Sequence, residues 1–410
     1  MLALTLAGCS APAGAPGSAQ VSATKAGAAA GSALGDGHGA KAGAREVAEP
    51  QLHLVSISPA GEVGMLDLAD ETWKNGGTVP GTEAITTDGR YIFASSPEQG
   101  TVTVLDSGVW TWDHEDHFHY YRSDARTVGT IKGQGKAVIT PGASATGVFF
   151  PETGKGVVLN NDGLAEAQIR ETAQLDAAPH QGMVVALGEF ALATVPGADG
   201  KAQTVQAHDA EGAAVDGARA ACADAQGTIT TRVGVVIGCA DGALLATVEN
   251  GKVAFEHIPY PEGADAGPAR AFRAREGRPT VAGVAGDQGA WILDTRERSW
   301  QLIKTDVPLL QVAALDDKEG HAVALSVDGR VLVLSAKTGA TLSSTEPLIT
   351  KTLSEPRLLA GVELVADQQR AYLNAPAEQR LHEIDFADNA RLARTFPTPS
   401  VPVFFARTGR

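Results

Sequence analysis

Asp328-Gly329-Arg330-Val331-Leu332-Val333-Leu334-Ser335 joins a tight-turn dipeptide to a short apolar run, and the arrangement recurs along the chain. Asp241-Gly242 precedes Ala-Leu-Leu-Ala-Thr-Val in the same way, and Gln288-Gly289 precedes Ala-Trp-Ile-Leu-Asp. Gly takes the positive φ of such a turn without steric cost, and short alternating or continuous apolar runs favour extended backbone. Aligned, the turns fall near residues 61, 99, 162, 199, 241, 287, 328 and 378, at steps of 37 to 50 residues with one exception. That is the period of propeller blades, each a meander of four strands. Helical periodicity is nearly absent. The fold expected is all-β, a β-propeller of eight blades, with seven as the alternative.

One meander cannot bury both of its faces, so the units must stack radially. The first unit, Leu52 to about Gly81, lacks an inner strand, whereas the last segment, Val401-Pro-Val-Phe-Phe-Ala406, is an inner strand without a blade. The C-terminal strand should therefore complete the first blade and close the ring, leaving no sheet edge open to aggregation. The propeller domain is expected over residues 51–410.

The sequence before it reads differently. Leu6-Ala7-Gly8-Cys9 has the form of a lipoprotein signal-peptide end, in which small residues precede the cysteine that receives lipid. Residues 10–48 are dominated by Ala, Gly and Ser and read as a disordered linker. No later segment approaches the roughly 20 apolar residues of a membrane span. The expectation is an extracytoplasmic protein, periplasmic or held by lipid on the outer face of the cell membrane, and monomeric. A net charge of −15 argues against nucleic acid, whose phosphates need Lys and Arg clusters. With Cys9 assigned to lipid, Cys222 and Cys239 remain, and an even pair in an exported chain reads as a disulfide. Closing that loop contributes about 3 kcal/mol.

The exceptional step in the repeat, from residue 99 to 162, is some twenty residues longer than its neighbours. Its excess, residues 107–125, includes Trp110-Thr-Trp-Asp-His-Glu-Asp-His-Phe-His-Tyr-Tyr-Arg122, which holds three of the chain's ten histidines, His114, His117 and His119. A blade folds without this insertion, and loops grafted on rigid scaffolds are where binding resides. In extended backbone His117 and His119 point to the same side, so their ring nitrogens can converge on one ion. Zinc suits such nitrogen and oxygen donors, although copper(II) and nickel(II) would also accept them.

Two ligands need a completing partner from elsewhere. His180, in Ala178-Pro179-His180-Gln181-Gly182 just before an inner strand, is the choice, with Asp106, Asp113 or Asp116 as the carboxylate. Strand counting raises a difficulty, because it puts the insertion on the rim opposite His180. Either the insertion crosses the ring or the strand assignment is off; failing both, His180 belongs to another role, that of a hydrogen-bonded structural histidine. The order His114-Glu-Asp-His117-Phe-His119 does not match the metallo-hydrolase pattern His-x-His-x-Asp-His, and no Gly-x-Ser-x-Gly elbow, phosphate loop or dinucleotide fingerprint occurs. Binding is expected, and catalysis is not. The competing readings are a metal-independent propeller used for protein contacts and a zinc-dependent hydrolase.

At Asp106-Ser-Gly-Val-Trp, Asp116-His117-Phe118-His119-Tyr120-Tyr121-Arg122, Pro179-His180 and Gly238-Cys239-Ala240-Asp241-Gly242, the chain resembles the AztD-type zinc metallochaperones that accompany a zinc ABC transporter. The resemblance spans roughly residues 51–410. It implies a β-propeller that binds Zn2+ and passes it directly to the transporter's solute-binding protein, with His117, His119 and His180 as ligands and Asp106 or Asp116 beside them. The family often carries a histidine-rich motif near the mature N-terminus; only Gly35-Asp36-Gly37-His38-Gly39 stands in that region here.

Overall fold

The computed structural model describes residues 43–113 and 117–409. Cys9, most of the linker, His38, His114 and Asp116 lie outside the described residues. Arg45–Val47, which composition places in the linker, forms a strand, so ordered structure begins a few residues before the expected boundary.

Ten strands open the described chain: β1 Arg45–Val47, β2 His53–Ile57, β3 Glu62–Asp67, β4 Trp73–Thr78, β5 Ala84–Thr87, β6 Tyr91–Ser96, β7 Thr101–Asp106, β8 Val109–Asp113, β9 Phe118–Arg122 and β10 Arg126–Lys132. β2, β3 and β4 form an antiparallel sheet whose first position is taken by the C-terminal strand Phe404–Thr408, paired to β2 with Val55 opposite Ala406. The strand that lacks a blade and the blade that lacks a strand do meet, two or three residues later than the apolar pattern placed them. β5, β6, β7 and β10 form the second sheet. Four-stranded sheets follow over residues 138–176, 184–221, 228–259, 309–344 and 364–397, each a meander in sequence order.

Residues 280–304 form a sheet of three strands. Arg273 takes up the position of its missing first strand, exchanging backbone hydrogen bonds of 2.9 and 3.0 Å with Ala282. Helix is confined, among the described residues, to Asn161–Ala165, Pro356–Leu359 and three single 3-10 turns.

Each strand's burial follows its place in the meander. The second strands β2 and β6 are buried at every residue, because a sheet lies against each of their faces. The fourth strands are mostly exposed, as in Trp73–Thr78 and Ala214–Ala221, and carry the polar residues. Apolar side chains fill the spaces between consecutive sheets. Phe93 and Val104 pack with Val148 and Leu159 between the second and third, and Leu54 and Leu66 pack with Tyr372 and Leu381 between the last and the first. A cavity of about 840 Å³ is lined by residues of the first strands, among them Thr86, Ile139, Val185, Ile229, Val365 and Phe405. The architecture is all-β, a succession of antiparallel meanders of the kind propellers are built from.

Candidate metal centre

The long insertion folds back on itself. β8 and β9 form a hairpin, with Trp110 opposite Tyr121 and Trp112 opposite His119, and β1 adds a third strand with Glu46 opposite Tyr121. Cross-strand partners and residues two apart share a face. One face of this small sheet therefore carries His117, His119, Tyr121, Trp110, Trp112 and Glu46.

Those side chains form a column. The rings of His117 and His119 are 4.6 Å apart, His119 and Tyr121 6.3 Å, and Tyr121 and Trp110 5.3 Å. Arg90 continues it, with its guanidinium carbon 3.7 Å from the centre of the Trp110 ring. Asp106 ends it, gripped by Arg90 through Nε at 3.0 Å and Nη2 at 2.8 Å. The column runs from exposed His117 to fully buried Asp106.

At its outer end Glu46 Oε1 lies 2.6 Å from Nδ1 of His119. With the carboxylate accepting, Nδ1 carries the ring proton and the lone pair is on Nε2, the atom through which a metal would then bind. Nothing in the sequence pointed to Glu46, which stands in a three-residue strand at the end of a low-complexity stretch. Burial, with the Glu46 carboxylate adding to it, raises the pKa of the Tyr121 phenol.

The foot of the hairpin is fastened to the first two sheets. Arg122 donates to Asp67 and to Gln51, each at 3.0 Å, and Thr111 donates to the carbonyl of Gly409 at 3.0 Å. Asp67 also lies 3.4 Å from Nε2 of His53, whose pKa burial lowers.

Two of the expected ligands are not brought to the histidine pair. Both oxygens of Asp106 are engaged, Oδ1 by Arg90 and the backbone N–H of Gly108, Oδ2 by Arg90 with Arg126 at 3.6 Å. The partner that holds Asp106 stands sixteen residues away, outside the local sequence Leu-Asp-Ser-Gly. His180 is likewise committed: Nδ1 lies 2.8 Å from the carbonyl of Ala178, Nε2 2.8 Å from Oγ1 of Thr194, and the ring meets Phe149 edge-on at 5.1 Å. A Cβ on Gly182 would come within 2.2 Å of that Nε2, so glycine is what lets the chain pass the ring.

Topology gives the reason. The insertion joins the third and fourth strands of its sheet, at the end where β5 turns into β6. His180 precedes the first strand of the 184–221 sheet, at the end away from the turn between Leu187 and Phe190. The insertion does not cross from one end to the other. Instead it closes on itself with β1.

A second group of donors lies elsewhere. Cys239, Asp241 and His257 offer a sulfur, an oxygen and a nitrogen all within 4.8 Å of one another. Cys239 is joined to Cys222 in a disulfide, as expected, so its sulfur carries no thiolate.

A histidine pair with a carboxylate against one ring, on a hairpin inserted into an all-β scaffold of meanders, is a donor arrangement chemically suited to a divalent metal. Over 250 residues the chain is 23% identical to the zinc chaperone AztD of Citrobacter koseri, covering 59% of each chain. The match thus spans less than two thirds of that relative's length. The crystal structure of C. koseri AztD superposes with a TM-score of 0.74 at 20% identity, over 88% of this chain and 98% of that one. The structure of its apo form gives 0.75 at 18% identity, with the same coverage. A more distant similarity, TM-score 0.54 at 17% identity, links the fold to the dihydro-heme d1 dehydrogenase NirN over 88% of this chain and 76% of that one. No family model matches the chain. It is AztD-like in sequence and in fold.

Proposed function

We propose that this chain is an extracytoplasmic zinc chaperone, a closed eight-bladed propeller whose cargo is held on the β8–β9 hairpin and passed directly to the solute-binding protein of a zinc ABC transporter. The observation that carries the reading is the Glu46–His119–His117 arrangement, in which a carboxylate fixes the tautomer of one histidine and a second histidine stands beside it. Metal-ligating histidines characteristically donate their second N–H in this way. Asp116, one residue before His117, is the carboxylate nearest in sequence and completes the proposed donor set. The AztD-like sequence and fold support zinc as the ion.

The eightfold closure is supported by the apolar packing of the last sheet against the first and by the pairing of the C-terminal strand with β2. The disulfide fits an oxidising compartment. A lipid on Cys9, followed by the linker, would tether a monomeric propeller beside a membrane-bound recipient.

Chaperone function requires exchange of ligands, with no turnover of a substrate. An imidazole on an exposed hairpin can leave zinc as a ligand from the recipient arrives. The decisive experiment is a zinc-competition titration of the parent protein and of His117→Ala and His119→Ala, followed by stopped-flow transfer to the recipient. Affinity lost in both variants, and transfer faster than free dissociation, are expected. Unchanged affinity would return the chain to a metal-independent interaction propeller, and ester or lactone hydrolysis that depends on zinc would make it an enzyme.

A further inference from the structure

The motif Gly238-Cys239-Ala240-Asp241-Gly242 has no part in the histidine site. It forms the turn between the second and third strands of the 228–259 sheet, with Cys239 paired to Gly242. His257 comes from the adjacent strand Lys252–Pro259, where it is the cross-strand partner of Leu244. Its Nε2 lies 3.1 Å from Oδ1 of Asp241, and the sulfur of Cys239 is within 4.8 Å of both donor groups. The sulfur of Cys222 is bonded to it. Both sulfurs are buried, whereas Asp241 and His257 are exposed, so the Cys239 sulfur, with Cys222 bonded to it, lies beside a nitrogen and an oxygen at the sheet rim.

We infer that Cys222, Cys239, Asp241 and His257 form a redox-gated zinc site, shut while the disulfide is intact and opened when it is reduced. Two thiolates, an imidazole and a carboxylate make a donor set that tetrahedral zinc accepts, with bonds of about 2.3 Å to sulfur and 2.0 to 2.2 Å to nitrogen and oxygen. Tetrahedral angles at such bonds put two sulfurs about 3.8 Å apart. Reduction lets the pair part toward that spacing, with the Asp241 and His257 donors already within 4.8 Å of the Cys239 sulfur.

The chemistry balances with a dithiol as reductant. One of its thiolates attacks a cysteine sulfur, the Cys222–Cys239 bond breaks, and a mixed disulfide forms. The second thiol then displaces the remaining cysteine. The reductant ends as a disulfide, two electrons oxidised, and both cysteines end as thiols, whose protons pass to solvent as zinc binds. Reoxidation by a disulfide, which is itself reduced to two thiols by the reverse exchange, removes both sulfur ligands and releases the metal.

The turn does not depend on the disulfide for its shape. Ala240 N–H donates to Ala223 O at 2.8 Å, Gln226 to Gly238 O at 3.0 Å, and Tyr260 to Asp241 O at 3.0 Å.

Cobalt(II) is the test probe, because thiolate ligation gives a sulfur-to-cobalt charge-transfer band in the near ultraviolet that histidine and carboxylate ligation cannot. The full chain carrying His117→Ala and His119→Ala would be titrated oxidised, after reduction by a phosphine, and as Cys222→Ser without reductant. The phosphine takes an oxygen from water as both sulfurs become thiols. One equivalent of cobalt with the band is expected in the reduced protein, none in the oxidised protein, and a weaker band in Cys222→Ser. Adding His257→Ala to the reduced protein should cost about tenfold or more in affinity.

The inference fails if the reduced protein and Cys222→Ser, both with native circular dichroism, show no band. It fails equally if reduction itself abolishes the native β signal, because the site must exist in the folded chain. Neither result bears on the histidine pair, whose loss is built into the protein tested.

Discussion

Arg90 lies over Trp110, its guanidinium carbon 3.7 Å from the ring centre, while its nitrogens hold the buried carboxylate of Asp106. One side chain thus ties the second sheet to the base of the inserted hairpin by two interactions of different kinds. A guanidinium stacked on indole gains from the ring quadrupole, and more so where water is excluded. The hairpin is thereby set on a rigid foot, with its exposed end left to the histidines.

Removing Arg90 should therefore be severe. Arg90→Leu leaves the Asp106 carboxylate buried without its bidentate partner, a change that typically costs about 3 to 5 kcal/mol. Asp106→Asn should cost less, since the amide oxygen can still accept from Arg90, which keeps its place over Trp110. Urea denaturation of both variants measures the difference. Because Asp106 stands at the foot of the column, folded Asp106→Asn should bind zinc as tightly as the parent. A large loss of affinity would put Asp106 back among the ligands.

Glu46→Gln tests the outer end of the same column. The amide keeps the size of the side chain and can still accept through its oxygen, but it no longer polarises the imidazole as a carboxylate does. Loss of a partner that orients a metal-bound histidine costs about 10- to 100-fold in affinity. Glu46→Ala should sit at the upper end of that range and Glu46→Gln at the lower. Competition titration reads both. Equal affinities for parent and Glu46→Ala would show that the contact has no bearing on metal.

The parts that were legible in the sequence are those with a local signature. Asp-Gly turns followed by apolar runs mark hairpins wherever they stand, so the sheets could be read from period, and a C-terminal apolar segment left without a blade gave the completing strand to within three residues. The insertion was visible as an excess over that period, and the shared side of His117 and His119 follows from the alternation of extended backbone. Contacts across the sequence were not legible. Glu46 meets His119 from seventy-three residues away, through a strand too short to show a pattern. His180 reads as a candidate ligand until Thr194 and Phe149 are seen around it, and Asp106 until Arg90 is. A polar side chain's availability depends on partners that only the fold supplies.

His382 gives the stability a pH dependence whose sign can be worked out. It is 5% exposed, and burial pushes its imidazole down to about 4. In the unfolded chain the group titrates near 6.5, so below that pH the unfolded state takes up a proton that the folded state refuses. Its contribution is fully present above about 6.5 and is lost as pH falls toward 4, to a total of about 3 kcal/mol. Urea midpoints at pH 7 and pH 4.5 should differ less in His382→Gln than in the parent. An identical pH dependence in the two proteins would show that His382 protonates as readily folded as unfolded.

Under the proposed function, the exposed aromatics of the hairpin bear on delivery of the cargo. Trp112, opposite His119, is 43% exposed and Phe118, between the two histidines in sequence, is 56% exposed. Large apolar side chains on the two faces of the hairpin that carries the proposed site suit a contact formed only with the recipient, since aromatic anchors dominate protein interfaces. Neither ring is buried enough for truncation to unfold the chain, so Trp112→Ser and Phe118→Ser should change the urea midpoint little. Zinc affinity should also hold, because His117, His119 and Glu46 are unchanged. The rate of transfer to the solute-binding protein is what should fall, by about tenfold for a contact worth 1.4 kcal/mol. Stopped-flow transfer, run beside loss of zinc to a chelator, separates the two steps. A fall in both rates together would place the effect in the metal site itself, and a fall in transfer alone would place it in docking.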